Sequence, residues 1–215
     1  MTILALEFSS PQRSVAVARA DGVAEAVEPN GRDTAAFGMI EKVLAETKIE
    51  REEIGVIAVG LGPGSYTGIR AAIALAQGWQ LARGIKLLGI SGAQCLAAQA
   101  QSEEIFGRVN VVIDAQRNEF YLAAYEISAA GWKEIQPLRI LPLAEVQSRA
   151  NADETLIGPE VTRWFPDGKI LFPSAATLAK LTASRKDFIA GEKLEPVYLR
   201  ETNFVKAPPS RTKVS

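Results

Sequence analysis

The chain has 215 residues, 47% hydrophobic and 23% charged, a balance that belongs to a folded globular protein and excludes a disordered one. Its 24 basic and 25 acidic side chains leave a formal net charge of -1, so no overall field draws it to nucleic acid or to an anionic membrane. The absence of histidine and the single cysteine exclude an intramolecular disulfide framework, imidazole metal ligands and histidine proton shuttles.

Residues 3–8 form a nearly unbroken apolar run and read as a buried strand, 13–19 alternate as a second, and 23–27 make a third after an Ala20-Asp21-Gly22 turn. The opening MTILALEFSS reaches an acidic residue at position 7, too soon for a signal peptide or a membrane span, and a cytoplasmic location is expected. Asp33 or Thr34 is placed to cap a helix whose Phe37, Ile40, Val43 and Leu44 share one apolar stripe. Residues 54–59 are another buried strand. A glycine-rich turn then opens a helix over 67–83, followed by a strand at 85–90 and a helix to about 101 capped by Ser91. The order βββαβαβα implies a mixed sheet with parallel members covered by helices.

The stretch 109–135 restarts the plan of 3–27 once Asp114 is set against Glu7, since each apolar strand ends in a carboxylate, a polar turn and an alternating strand. Two related domains are therefore expected, 1–101 and a smaller 102–200, with a loose tail over 201–215. In the second, 143–149 and 175–184 read as helices, 155–157 and 170–172 as short strands. Cys95, among Ala93, Leu96 and Ala97, reads as a buried, inert thiol, which suits a reducing compartment.

Three places invite chemistry. In the turn, Gly60, Gly62, Gly64 and Gly68 can supply positive φ angles and the following helix start can receive an anion, or the turn is simply tight and capped by Ser65 or Thr67. It lacks the Gly-Lys-Ser/Thr of a Walker loop and the third glycine of a Rossmann fingerprint. Glu7 with Ser9 and Ser10, and Asp114 in the repeat, can hold a hydrated magnesium ion or a phosphate, or can bond to turn amides. Arg117 and Glu119 beside Tyr121 read either as an acid with an electrostatic partner or as a surface ion pair. Finally, the helix over 67–83 is apolar on both sides, Ile69, Ile73 and Ala76 on one, Ala71, Ala74, Leu75, Gly78 and Ala82 on the other. Its second side must meet a helix of this chain or another subunit.

Taken together, ILALEFSS (3–10), VIAVGLGPGSYTGIRAAIALAQGWQLA (56–82), VVIDAQRNEFYLAAY (111–125) and EPVYLR (195–200) resemble the bacterial TsaB family, formerly YeaZ, a relative of the glycoprotease-like TsaD proteins. The resemblance implies an α/β fold of the actin-like ATPase type (ASKHA, shared by sugar kinases and heat-shock ATPases) with the second βββαβαβα domain reduced. It further implies a role in making threonylcarbamoyladenosine next to the anticodon of tRNAs that read codons beginning with adenine. In that role the chain binds TsaD, which performs the transfer, while TsaE completes the assembly and tRNA is reached only through the complex. The helices over 34–48 and 67–83 would supply the contact through Phe37, Ile40, Leu44, Arg70, Ala71, Ala74, Leu75 and Gly78, and would form a homodimer in isolation. No tightly bound cofactor is expected, with ATP-Mg at the complex interface and Glu7, Ser9, Gly62, Gly64, Ser65 and Asp114 as the candidate phosphate or nucleotide contacts.

TsaD-type transfer uses a metal held by paired histidines, which a chain without histidine cannot supply. Two departures from the family pattern are visible, Glu7 where the first strand usually ends in aspartate, and no histidine around Arg32 to Thr34. A different class of reading is an independent ATP-dependent small-molecule kinase using Glu7 and Asp114 across the cleft. A peptidase is weaker still, because neither a zinc pair nor a nucleophile with a histidine base can be assembled.

Overall fold

The computed structural model describes residues 1–29, 36–150, 152 and 154–199. The expected cap at Asp33 or Thr34, the departure at 32–34 and the tail 201–215 lie outside them. Strands β1 (Thr2–Glu7), β2 (Arg13–Arg19) and β3 (Gly22–Glu28) form an antiparallel meander. After α1 (Ala36–Thr47), β4 (Ile54–Gly60) joins β1 in parallel, and after α2 (Tyr66–Arg83), β5 (Lys86–Ile90) joins β4. The sheet order is β3-β2-β1-β4-β5. Because β1 and β4 are covered on both faces, their sequences run apolar without alternation.

The second half repeats the plan. Strands β6 (Gly107–Asp114), β7 (Glu119–Ser128) and β8 (Gly131–Pro142) form the meander. Beyond α4 (Leu143–Ala150), β9 (Thr155–Gly158) pairs parallel to β6, and β10 (Lys169–Ile170) to β9. Read from its other edge the order is β8-β7-β6-β9-β10, the same as in the first sheet. The doubled plan is the actin-like α/β fold, and the reduction is local, since a short 3-10 turn at Val161–Arg163 stands between β9 and β10 where the first half has the long α2.

Each sheet buries both faces. On the first, Leu4, Leu6, Val15 and Ile57 pack against Met39, Ile40 and Val43 of α1 and Ile69, Ala72, Ile73 and Ala76 of α2. The opposite face, with Ile3, Ala5, Val56, Ala58 and Leu88, meets α5 (Ala175–Ala183) through Ala175, Leu178 and Ala179. The second sheet covers α3 (Gly92–Ser102) with Val109, Val111, Ala123 and Tyr125, and α4 with Val112, Leu122 and Leu156. Cys95 is fully buried and burial pushes its thiol well up, as an inert side chain requires. Among the described residues no helix is long and apolar enough to cross a membrane.

Candidate functional site

The sequence VGLGPGSYTG folds as a turn in which the glycines have different duties. Of the four glycines able to supply a positive φ, only Gly62 (φ 76°) and Gly64 (φ 146°) take one. Gly60 and Gly68 are required for close approach instead, since a Cβ on Gly60 would overlap Glu7 Oε2 and one on Gly68 would overlap the carbonyl oxygen of Phe8. Ser65 N donates to Ser9 O at 2.6 Å, and Ser65 caps α2, its Oγ accepting from Gly68 N at 3.3 Å. The start of α2 is thereby pinned to the chain leaving β1.

A cleft of about 540 Å³ lies between the halves. It brings together Ser9, Gly64, Ser65 and Asp114 of the candidate phosphate contacts, with Ser10, Arg13, Tyr66, Thr67, Gln116 and Glu160. Glu7 and Gly62 do not line it. Glu7 is fully buried, and Ser9 N donates to its Oε1 at 2.7 Å. Its carboxyl is held above the ordinary range because burial disfavours the charge, against the opposing hydrogen bonds from Ser9. Asp114 reproduces the local geometry, accepting from Gln116 N at 2.7 Å, but stays only half-buried at the cleft wall. Both acids thus bond to turn amides, as strand-end carboxylates can. Arg117 sits in the following turn, where Gln116, Arg117 and Asn118 all have φ near 60°, and Glu119 begins β7.

The second candidate region is the outer side of α1 and α2. On α2 the inward residues are Gly68, Ile69, Ala72, Ile73 and Ala76. Arg70, Ala71, Ala74, Gly78 and Ala82 are exposed, Leu75 is half-buried, and Leu81 is 89% exposed. No described helix covers this side, and an apolar groove of about 310 Å³ opens between the two helices. Leu6 and Ile40 lie buried at its base, Phe37, Leu75 and Trp79 form its walls, and Ala74 and Gly78 line it with little more than backbone. Of the expected contact residues, Phe37, Ile40, Ala74, Leu75 and Gly78 therefore converge. Leu44 is core, 6% exposed, and Arg70 and Ala71 lie up α2 from the groove.

Sequence reading did not assign Tyr66, Trp79 or Tyr198 to this region. Arg70 Nη1 donates to the Tyr66 hydroxyl at 2.7 Å with its guanidinium over the ring, and Tyr198 packs on the same ring at 5.9 Å. The i, i+4 spacing of Tyr66 and Arg70 was a usable signal. Tyr198 had none, because it meets Tyr66 across more than a hundred residues.

A family model described as TsaD, tRNA N6-adenosine threonylcarbamoyltransferase, matches residues 33–198. The chain is 27% identical over 231 positions to the tRNA threonylcarbamoyladenosine biosynthesis protein TsaB of Escherichia coli (strain K12), covering 98% of this chain and 100% of that one. The Bacillus subtilis (strain 168) protein of the same name is 27% identical over 148 positions, 67% of this chain and 64% of its own. Among solved structures, YeaZ from Pseudomonas aeruginosa superposes with a TM-score of 0.78 at 28% identity, covering 92% of this chain and 99% of that one. An uncharacterized protein with similarity to peptidase YEAZ, also from Pseudomonas aeruginosa, gives 0.80 at 29%, covering 93% and 99%.

Proposed function

The chain belongs to the TsaD family of tRNA N6-adenosine threonylcarbamoyltransferases and, within it, to the TsaB (YeaZ) proteins of threonylcarbamoyladenosine biosynthesis, and from that premise we propose that it is a noncatalytic subunit that binds and activates TsaD. TsaD then transfers the threonylcarbamoyl group to the adenosine next to the anticodon of tRNAs that read codons beginning with adenine. The observation that carries this reading is the open groove between α1 and α2, continued along the exposed small-residue side of α2. Such a surface favours a partner helix, because alanine and glycine allow close backbone approach and lose no rotamer freedom on binding. The lack of histidine supports the noncatalytic role, since a histidine-held metal has no ligands here.

In this proposal the same face closes on a second copy when TsaD is absent, TsaE joins the assembly, tRNA is held through the complex, and ATP-Mg sits at the shared interface. The kinase alternative is not favoured. Glu7, which it needs at the phosphates, is buried away from the cleft with one oxygen committed to the Ser9 amide.

Ala74→Arg places a charge in the groove that a bound partner leaves unpaired, which costs about 2 kcal/mol or more, roughly thirtyfold in affinity. The variant is expected to keep its circular dichroism and lose co-purification with TsaD. With TsaD, TsaE, threonylcarbamoyl-adenylate and unmodified tRNA, modification is expected to depend on this chain and to fall with the variant. Undiminished co-purification would overturn the interface, and modification at full rate without the chain would overturn the role.

A further inference from the structure

Helix α5 follows the strands of the second half in sequence but packs on the first sheet, through Ala175, Leu178 and Ala179. Its first amides are held by side chains rather than by water. Ala175 N donates to Ser14 Oγ at 2.8 Å, a bond buried between the elements, and Ala176 N donates to Glu25 Oε1 at 3.0 Å. Thr177 N donates to Ser174 Oγ at 3.2 Å, the helix's own cap. Two of these three acceptors belong to β2 and β3 of the other half, and the Glu25 carboxylate also faces the positive end of the helix dipole. The chain then continues along the first half, with Ile189 N donating to Leu87 O at 2.9 Å and Gly191 N to Gln80 Oε1 at 2.6 Å. In the opposite sense α3, which follows the first half's strands, is seated on the second sheet through Ala93, Leu96, Ala97 and Ala100.

Helix α3 joins the two halves, since its Cys95 packs with α5 and the first sheet while Ala93, Leu96, Ala97 and Ala100 pack on the second. Swinging the halves across the 540 Å³ cleft would therefore require α3 to leave the second sheet or to part from α5 and the first sheet, or α5 to leave Ser14 and Glu25. Each exposes buried apolar surface, and freeing α5 also orphans the amides of Ala175 and Ala176. We propose that Ser14 and Glu25 clamp α5 to the first sheet and, with α3 seated reciprocally, hold the cleft at one width, so that the chain is a rigid block without a working hinge. Its use as a platform for TsaD rests on the function proposed above, but the rigidity is a property of the chain alone and is tested without a partner.

The test is a spin-label distance measurement on the isolated chain. Labels are attached at Asp21→Cys and Ala129→Cys, exposed turn residues of opposite halves, in a Cys95→Ala background. One narrow distance distribution is expected, becoming about twofold broader when Ser14→Ala and Glu25→Ala are added, with far-ultraviolet circular dichroism unchanged. A broad or two-peaked distribution with the clamp intact, or a width indifferent to its loss, would overturn the proposal. Should the clamp variant not fold, hydrogen exchange in the unaltered chain decides. Amides of Ala175 and Ala176 protected like those of Ala5 and Ala58 support the clamp, and exchange about a hundredfold faster than theirs overturns it.

Discussion

Glu7 closes β1 with its side chain fully buried, Ser9 N on one oxygen and no hydrogen-bond partner on the other among the described residues. Room for that second oxygen exists because residue 60 is glycine. Burial raises the carboxyl above its ordinary 4.5, so the folded state binds its proton more tightly than the unfolded chain does. The stabilisation from the bound proton is complete below the ordinary value and is lost as pH rises through the folded value, by about 1.4 kcal/mol per pH unit between the two. Glu7→Gln keeps the shape and removes the titration. Thermal unfolding of the two proteins should therefore differ little near pH 4 and favour the glutamine variant at pH 8, and a wild-type advantage at pH 8 would contradict a buried, desolvated carboxyl. The same position in the repeat, Asp114, was legible in the sequence as its counterpart, and the shared carboxylate-to-amide bond bears that out. What the sequence left open was burial, which depends on what lies above each strand end rather than on the strand itself.

At the scale of elements, α2 illustrates how two glycines of one helix, about three turns apart, can act oppositely. Gly68 faces the backbone of Phe8 with no space for a methyl group, whereas Gly78 meets nothing within 4 Å of a built Cβ. Gly68→Ala should push α2 off β1 and destabilise the chain by about 1–3 kcal/mol. Gly78→Ala should stabilise the isolated chain by up to about 1 kcal/mol, through helix propensity alone. Paired denaturant titrations check both signs. Helix α2 was also the clearest element to read, because its caps are local. Ser65 precedes the first turn and Gly84 takes the left-handed conformation (φ 68°) after Arg83, as sequence rules for helix ends require. The two apolar sides of this helix were visible too, but that α1 stands apart from it and leaves a groove was not, since helix spacing is set by the sheet beneath.

For the molecule as a whole, the reciprocal seating of α3 and α5 leads us to expect the two halves to unfold as one unit. Leu178→Ala removes a fully buried side chain of α5 and is expected to cost about 2–5 kcal/mol. The loss should lower the urea midpoints from far-ultraviolet circular dichroism and tryptophan fluorescence together, although Trp79 and Trp132 lie in different halves. Separate midpoints would mean that the halves unfold independently. The amino-acid sequence by itself determined the strands, the helices, the glycine turn and the repeat of one plan in two halves, because alternation, apolar stripes and caps are written within a few residues of one another. Only the tertiary structure decided that the last helix covers the first sheet, that Tyr198 lies on Tyr66, that Glu7 is sealed while Asp114 borders the cleft, and that α1 and α2 leave a groove. Each of these depends on which distant surface wins the competition to bury an apolar face, and hydrophobic attraction carries no address in the local pattern.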